Sequence, residues 1–402
     1  MSYEDVIKSS EKRLAELSSD SRTIVGYVYP HAPLELFLAC KITPSLMWAD
    51  PTIRGGFEGS LQTFACSLTR NLLSRRSMGG LSSFSGILLP RNTCDSLLNV
   101  GDVWRHRFPQ DKLFRLTYPA AKFDDDSVRY LAEELRLLSA SLKNTFGQDF
   151  SENDLRAAAA LMNRFRDAAQ TLYACRMIDS TILPYAKIAR LVRDFLTFPG
   201  AETAGRINES ALDASKRLEE AEELREVSSL RGELLNGKLL DAKVVPDSKT
   251  PRIVMVGGMT EPLAVNSLFN ATGKFAGDVL VTDLLSFGFK TVFTPVVNLD
   301  GDPFTAMSKS ILNAPSEPTQ EGLPGRLQFL KDLISRLSID GLVICEQSFC
   351  DPDQFEAPML LKAASEAGVP AVRLPIDPEL SDRARLEGRI QSFLETFAGS
   401  AK

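Results

Sequence analysis

"RTIVGYVYP" (22–30), "ITPSLMWA" (42–49), "FSGILLP" (84–90) and "LFRLTYP" (113–119) are four short apolar runs, three of them stopped by proline. After the first, "PLELFLACK" (33–41) has the 3–4 residue spacing of a helix; after the second, "EGSLQTFACSLTRNLLSRR" (58–76) reads as one amphipathic helix. Such runs are too short for buried helices, and their alternation with helical patterns constrains the chain more than any other feature. It demands a parallel sheet with helices on its faces. The same logic restarts at "RIVMVGG" (252–258) and continues through "GDVLVTDLL" (277–285), "TVFTPVV" (291–297), "DGLVICE" (340–346) and "PAVRLPID" (370–377). Helical patterns at 324–338, 358–368 and 382–397 separate or follow the later strands.

Between the two α/β units the pattern is helical. Residues 126–147 and 151–177 carry apolar side chains at i, i+3, i+4 and i+7, and Ser151 with Asp154 forms a capping-box pattern. Residues 211–237 read as a charge-rich helix closed by Asn-Gly, with a solvated face over 215–232, and 243–251 as a linker. The expected organisation is an N-terminal α/β domain over 20–125, a helical connecting segment over 126–245 and a C-terminal α/β domain over 250–402.

The chain has 402 residues, 44% of them apolar and 24% charged, and a formal net charge of −6. An acidic balance argues against a nucleic-acid partner, since phosphate binding needs a basic face. No apolar run approaches the ~20 residues that cross a bilayer. The first 17 residues are charged and lack the apolar centre of a signal peptide, so a cytoplasmic location is expected. In that compartment cysteines are ligands, nucleophiles or core residues more often than disulfides. Six occur, Cys40, Cys66, Cys94, Cys175, Cys345 and Cys350, with no CxxC pair and only two histidines, His31 and His106. That argues against a conventional zinc site, whose ligands usually come in close pairs; a metal site here must be assembled from distant segments. Cys94 and Cys350 both lie in loops past the carboxyl end of a strand, where open α/β sheets place ligands.

The contexts "YVYPHAPLELFLACKITP", "FACSLTRNLL", "GILLPRNTCDSLLNVGDVW", "SENDLRAAAALMNRFR", "DGLVICEQSFCDPDQFEAPMLLKAASEAGVP" and "GRIQSFLETF" together resemble the subunits of 2-hydroxyacyl-CoA dehydratases and benzoyl-CoA reductases, of the 2-hydroxyglutaryl-CoA dehydratase D-component kind. The resemblance covers most of residues 22–397. It implies two flavodoxin-like domains joined by a helical segment, with an iron–sulfur cluster between them. By motif the ligands are Cys66, Cys94 and Cys350. Three thiolates on a [4Fe-4S] cluster leave one iron open, and such clusters reach potentials down to roughly −700 mV. In the dehydratases the resemblance implies that a thioester carbonyl approaches that iron and takes one electron. The resulting ketyl expels the 2-hydroxyl and acidifies the β-proton; in the benzoyl-CoA branch the electrons reduce the ring. It also implies a homologous second subunit in a heterodimer, an acyl-CoA substrate, and an ATP-hydrolysing iron–sulfur activator. The chain itself has no GxxxxGK[ST] phosphate loop.

Tyr29 and Glu35 lie in the first strand-to-helix turn, where the resemblance places the substrate, and are the candidate catalytic residues. A dipole-facing helix residue is an equal reading for Glu35. His31 is expected on a surface loop, Cys40, Cys175 and Cys345 in the core, and Asp95 and Asp351 as helix caps. "VMVGGMTEP" (254–262) is expected to be a strand-exit turn, with phosphate or CoA contact as the alternative. Where the family carries a "DLCTG"-like loop the chain has "DLLSFG", with Leu285 for the cysteine, and Pro375 stands where glutamate is common. These departures point to a divergent substrate or the less active subunit of a pair. A dehydratase subunit, a reductase subunit and a non-catalytic cluster-bearing subunit are the three functional expectations.

Overall fold

The computed structural model describes residues 3–120, 124–219, 224–244, 250–269 and 279–398. The N-terminal helix α1 (Tyr3–Ser19) leads into β1 (Ile24–Tyr27), α2 (Leu34–Ala39), β2 (Thr43–Leu46), α3 (Ser67–Ser77), β3 (Gly86–Arg91), α4 (Asp95–Arg107) and β4 (Leu113–Thr117). The strands pair in parallel in the order β2-β1-β3-β4. In the central strand β1 every residue is buried, as a strand covered on both faces requires, whereas edge strand β4 alternates buried and half-buried positions.

The second unit repeats this plan. It runs through β5 (Ile253–Gly257), α10 (Pro262–Phe269), β6 (Leu280–Leu284), α11 (Pro303–Leu312), α12 (Leu323–Arg336), β7 (Gly341–Gln347), α13 (Asp351–Glu366), β8 (Ala371–Ile376) and α14 (Arg383–Ala398). All pairings are again parallel, in the order β6-β5-β7-β8. Both sheets thus have the 2-1-3-4 order of a flavodoxin-like fold. That order creates a switch point between β1 and β3 in one sheet and between β5 and β7 in the other, and each opens a crevice at the strands' carboxyl ends.

Five helices join the sheets: α5 (Asp125–Phe146), α6 (Glu152–Ile178), α7 (Tyr185–Thr197), α8 (Ala201–Glu219) and α9 (Leu224–Asn236). The capping box forms, with the Asp154 amide donating to Ser151 Oγ and the Ser151 amide to Asp154 Oδ2. From Phe165 onward α6 is almost wholly buried, packed on α2 of the first unit and β6 of the second. One apolar core runs from Val25 and Ile87 through Phe165 and Leu172 to Val254 and Leu342. Polar ties reinforce it. Tyr173 and Tyr185 of the connecting helices both donate to Asp283 at the end of β6, at 2.6 and 2.7 Å. Arg252 donates to the Met177 carbonyl at 2.6 Å. The two units are therefore held together by shared packing.

Several expectations are corrected. Residues 58–66 are not helical; α3 begins at Ser67, because Gly59, Ser60 and Thr63 interrupt the apolar spacing with residues that favour turns. Residues 291–297 form no strand: a π-helical turn at Ser286–Lys290 runs into them, wrapped around the buried Asp283 carboxylate, which accepts from the Leu285 and Phe289 amides. The helix expected over 211–237 is two elements, α8 starting ten residues earlier and α9. α13 starts at Asp351 with Pro358 inside it. The 243–251 linker lies largely outside the described residues.

Candidate functional site

Three helices that begin just past strand ends or the loops that follow them place a cysteine at the N-cap: Cys66 for α3, Cys94 for α4 and Cys350 for α13. Asp95 and Asp351 sit one residue later, in the first turns, so the caps are the cysteines and not the aspartates. All three cysteines line one cavity of about 30 Å³ between the two sheets, with Tyr29, Gly258, Glu317, Gln347 and Asp353. The loops that carry them are stitched together. The Ser67 amide donates to the Ser348 carbonyl at 2.9 Å, Gln347 Nε2 donates to Ser67 Oγ at 2.5 Å, and the Cys66 amide reaches Ser96 Oγ at 3.4 Å. Phe349, just before Cys350, has a left-handed conformation, φ 60°, which is an outlier for a bulky residue and marks a locally constrained loop.

The sulfurs face helix N-termini, where exposed amides and the macrodipole favour negative charge. No sulfur accepts a well-formed cap hydrogen bond, yet the amides around them act on their acidity. The neighbouring Cys350 thiol, with the Leu68 and Thr69 amides, holds Cys66 below the usual thiol range despite burial. The neighbouring Cys66, then burial, pushes the Cys350 thiol up. Burial pushes Cys94 up to about 12, against the Leu97 and Ser96 amides. A cation that binds these sulfurs as thiolates displaces protons.

Among the described residues no three or more His, Cys, Asp or Glu side chains are gathered tightly enough to hold a single metal ion. A polynuclear cluster makes a different demand, because it offers separate iron corners to separate thiolates. The donor set fits such a group: three thiols on three helix N-termini, with no lysine or arginine lining the cavity. Cys345 is buried within β7 with its thiol toward the Val343 carbonyl and does not line the cavity; Cys40 and Cys175 are also buried.

Tyr29 lines the cysteine cavity, its hydroxyl 3.3 Å from Thr319 Oγ1. Glu35 does not. It lies on a neighbouring cavity with His31 and Arg166, and its Oε1 is 2.7 Å from Arg166, both side chains being buried. The guanidinium approaches off the hydrogen-bonding direction, so Oε1 accepts no hydrogen bond and the contact is an ion pair alone. His31 is 3% exposed, which overturns the surface-loop expectation: Tyr118 donates to its carbonyl and Tyr29 packs edge-on against its ring.

Two residues at this centre, Glu317 and Asp353, carried no readable sequence signal. Glu317, in the irregular stretch "NAPSEPTQ", is 1% exposed; it accepts from Ser286 Oγ at 2.5 Å and stands 3.4 Å from Lys290 Nζ. Asp353 accepts from the Gln347 amide at 3.0 Å, and burial pushes its carboxyl up to about 7. Gly258 passes so close that an added Cβ would lie 2.3 Å from Asp353 Oδ1, and at Gly257 a Cβ would lie 2.2 Å from the Cys345 carbonyl oxygen. The "VMVGG" turn is thus a strand exit whose glycines admit the neighbouring loop, and Gly258 and Met259 line the cysteine cavity.

Residues 30–397 match the family described as 2-hydroxyglutaryl-CoA dehydratase, D-component. The chain belongs to this family. Its relatives include a benzoyl-CoA reductase subunit of Thauera aromatica, 23% identical over 100% of this chain and 96% of that one. The (R)-phenyllactyl-CoA dehydratase beta subunit of Clostridium sporogenes is 20% identical over 98% and 97% of the two chains. The lactoyl-CoA dehydratase beta subunit of Anaerotignum propionicum is 22% identical over 97% and 96%. This D-component family therefore contains subunits of dehydratases and of a reductase, and the chain spans nearly the whole length of each of these relatives. Among the described residues no helix is long and apolar enough to cross a membrane.

Proposed function

We propose that this chain is the iron–sulfur subunit of a 2-hydroxyacyl-CoA dehydratase, with Cys66, Cys94 and Cys350 holding a [4Fe-4S] cluster. The observation that carries the reading is the meeting of three cysteines, far apart in sequence, at three helix N-termini on one cavity between the sheets. When bound, such a cluster supplies electrons one at a time at low potential and an iron corner without a protein ligand. The chain's own contribution is to hold the sulfurs through the Ser67, Ser96, Gln347 and Ser348 contacts, to stabilise their charge with helix amides, and to keep bulk water out of a narrow cavity. Tyr29 presents an aromatic wall to the same space. Burial raises its hydroxyl pKa well above the usual range, so it acts as a neutral donor and not as a base.

The relatives are named as subunits of acyl-CoA enzymes, which supports a partner subunit and an acyl-CoA substrate; a homologous partner in a heterodimer and a separate ATP-hydrolysing iron–sulfur activator as electron donor are part of the same proposal. A benzoyl-CoA reductase-type subunit is the second reading, favoured by the full-length match to the Thauera aromatica benzoyl-CoA reductase chain. A cluster-bearing subunit without substrate of its own is the third.

The test is anaerobic purification with iron and sulfide analysis and electron paramagnetic resonance. The expected result is brown protein with roughly four irons per chain, bleached by oxygen, and loss of iron in Cys66→Ser, Cys94→Ser and Cys350→Ser. Iron retained in all three variants refutes the ligand assignment. Many turnovers per reductant select the dehydratase; reductant consumed in step with product selects the reductase. Iron-loaded protein that binds no acyl-CoA, in a complex whose activity survives Cys94→Ala, selects the third reading.

A further inference from the structure

Beside the cysteines lies a second buried cluster that the functional reading does not use. Glu317 lines the cysteine cavity, and His31 lines the neighbouring cavity that also contains Glu35, Arg166, Thr291 and Thr294. Their side chains meet across the wall between the two, His31 Nε2 standing 3.7 Å from Glu317 Oε1. Both are almost fully buried, at 3% and 1% exposure. One carboxylate oxygen, Oε2, is held by Ser286 Oγ and Lys290 Nζ. The other, Oε1, and both ring nitrogens of His31 have no hydrogen-bond partner. Buried polar atoms are rarely left so, since each costs about 1–3 kcal/mol. Three orphaned atoms on two facing acid–base side chains, one of them opening on the cysteines, mark a place where a proton is exchanged.

We propose that Glu317 is the acid–base residue of the cysteine cavity, positioned by Ser286 and Lys290 and connected through His31 to the adjoining cavity. This rests on the dehydratase reading. In that reaction the carbon–oxygen bond breaks with its electron pair on oxygen, and the Glu317 carboxyl gives that oxygen a proton so that water departs. The carboxylate then takes the proton of the adjacent carbon, whose C–H electron pair closes the carbon–carbon double bond. The carboxyl is regenerated, and neither protons nor electrons are consumed. His31 equalises the charge by carrying a proton to or from Glu317 as the site fills and empties.

The charged and titratable groups around the pair come from every packed element. Lys290 lies on the π-helical turn, Tyr29 and Tyr118 stand against the His31 side, and Asp353 of α13 senses the Glu317 charge. Glu35 and Arg166 share the His31 cavity. Burial holds the His31 imidazole below its usual range, with Glu317 opposing and Lys290 reinforcing that shift.

Two measurements test this. The full chain has only two histidines, so nuclear magnetic resonance of ring-labelled protein reads them separately. Glu317→Gln is expected to move the His31 titration further down, Lys290→Met to move it up, and both to leave His106 unchanged. An indifferent His31 resonance in both variants overturns the coupling, whatever the reaction. In the assembled enzyme Glu317→Gln is expected to lower kcat by about 10²–10⁴-fold with iron content and acyl-CoA binding unchanged. Glu317→Asp restores part of the rate with a displaced pH profile. Wild-type turnover with an unaffected Glu317→Gln variant overturns this proposal alone; a wild-type complex that turns over no acyl-CoA overturns the functional reading beneath it.

Discussion

The Glu35–Arg166 pair offers the sharpest separation of a structural role from a chemical one. The pair joins α2 to α6 with 5% and 8% of the side chains exposed and 2.7 Å between charged atoms. Removing one member of such a buried pair costs about 3–5 kcal/mol, because the survivor stays charged and out of water, whereas replacing both by apolar groups of like volume is close to neutral. The two halves are unequal. Arg166 keeps a second acceptor in Asn163 Oδ1 at 3.2 Å, but Glu35 Oε1 has none. Arg166→Met should therefore sit at the upper end of that range, Glu35→Gln at the lower end, and the Glu35→Leu/Arg166→Met double variant within about 1–2 kcal/mol of wild type. Urea unfolding followed by circular dichroism reads all four proteins. Single-variant losses below about 1 kcal/mol, or a double variant whose cost is the sum of the singles, refute the ion-pair argument. The double variant also decides the catalytic candidacy of Glu35. If the carboxylate serves chemistry, a stable double variant is inactive; if it serves packing, the double variant turns over.

Two further outcomes follow from buried carboxylates. Asp353 has its folded-state pKa raised, so the stability it contributes is complete below about pH 4 and is lost as pH rises towards 7. The gap between its ordinary 3.8 and about 7 corresponds to about 4 kcal/mol. In one metallation state, wild-type urea midpoints should fall more steeply than those of Asp353→Asn between these limits, and parallel profiles would show that the carboxyl is solvated. Asp283 accepts from two tyrosine hydroxyls and two amides. Asp283→Ala should cost about 3–5 kcal/mol by orphaning those donors, and a loss under about 1 kcal/mol in the same unfolding assay would mean that water replaces the carboxylate.

Local pattern was enough to read the sheets. In β1, β5 and β7 nearly continuous apolar runs meet turn residues at their carboxyl ends, and burial on both faces leaves no other use for them. Parallel pairing and helix-covered faces follow from that alone, and so does the placement of Cys94 and Cys350 past strand ends. The capping box of α6 was legible because it is complete within four residues. The failures were equally physical. Periodicity carried the 58–76 helix too far because Leu61, Phe64 and Ala65 have helical spacing without helical backbone, and Leu61 and Ala65 pack on tertiary neighbours instead. "TVFTPVV" has strand composition, but Asp283 draws the preceding backbone into a π-helical turn.

By itself, then, the sequence determined most of the strands and helices, that the chain makes two parallel-sheet units, and that Cys94 and Cys350 stand in loops past strand ends, because each of these depends on residues within a turn or two of one another. Only the tertiary structure decided that Cys66 joins Cys94 and Cys350 on one cavity, that Glu35 turns away to Arg166, and that His31 and Glu317, from opposite units, face each other in the interior. The reason is that burial of a polar group and the identity of its partner are set by packing between elements far apart in the chain. No local spacing encodes that contact.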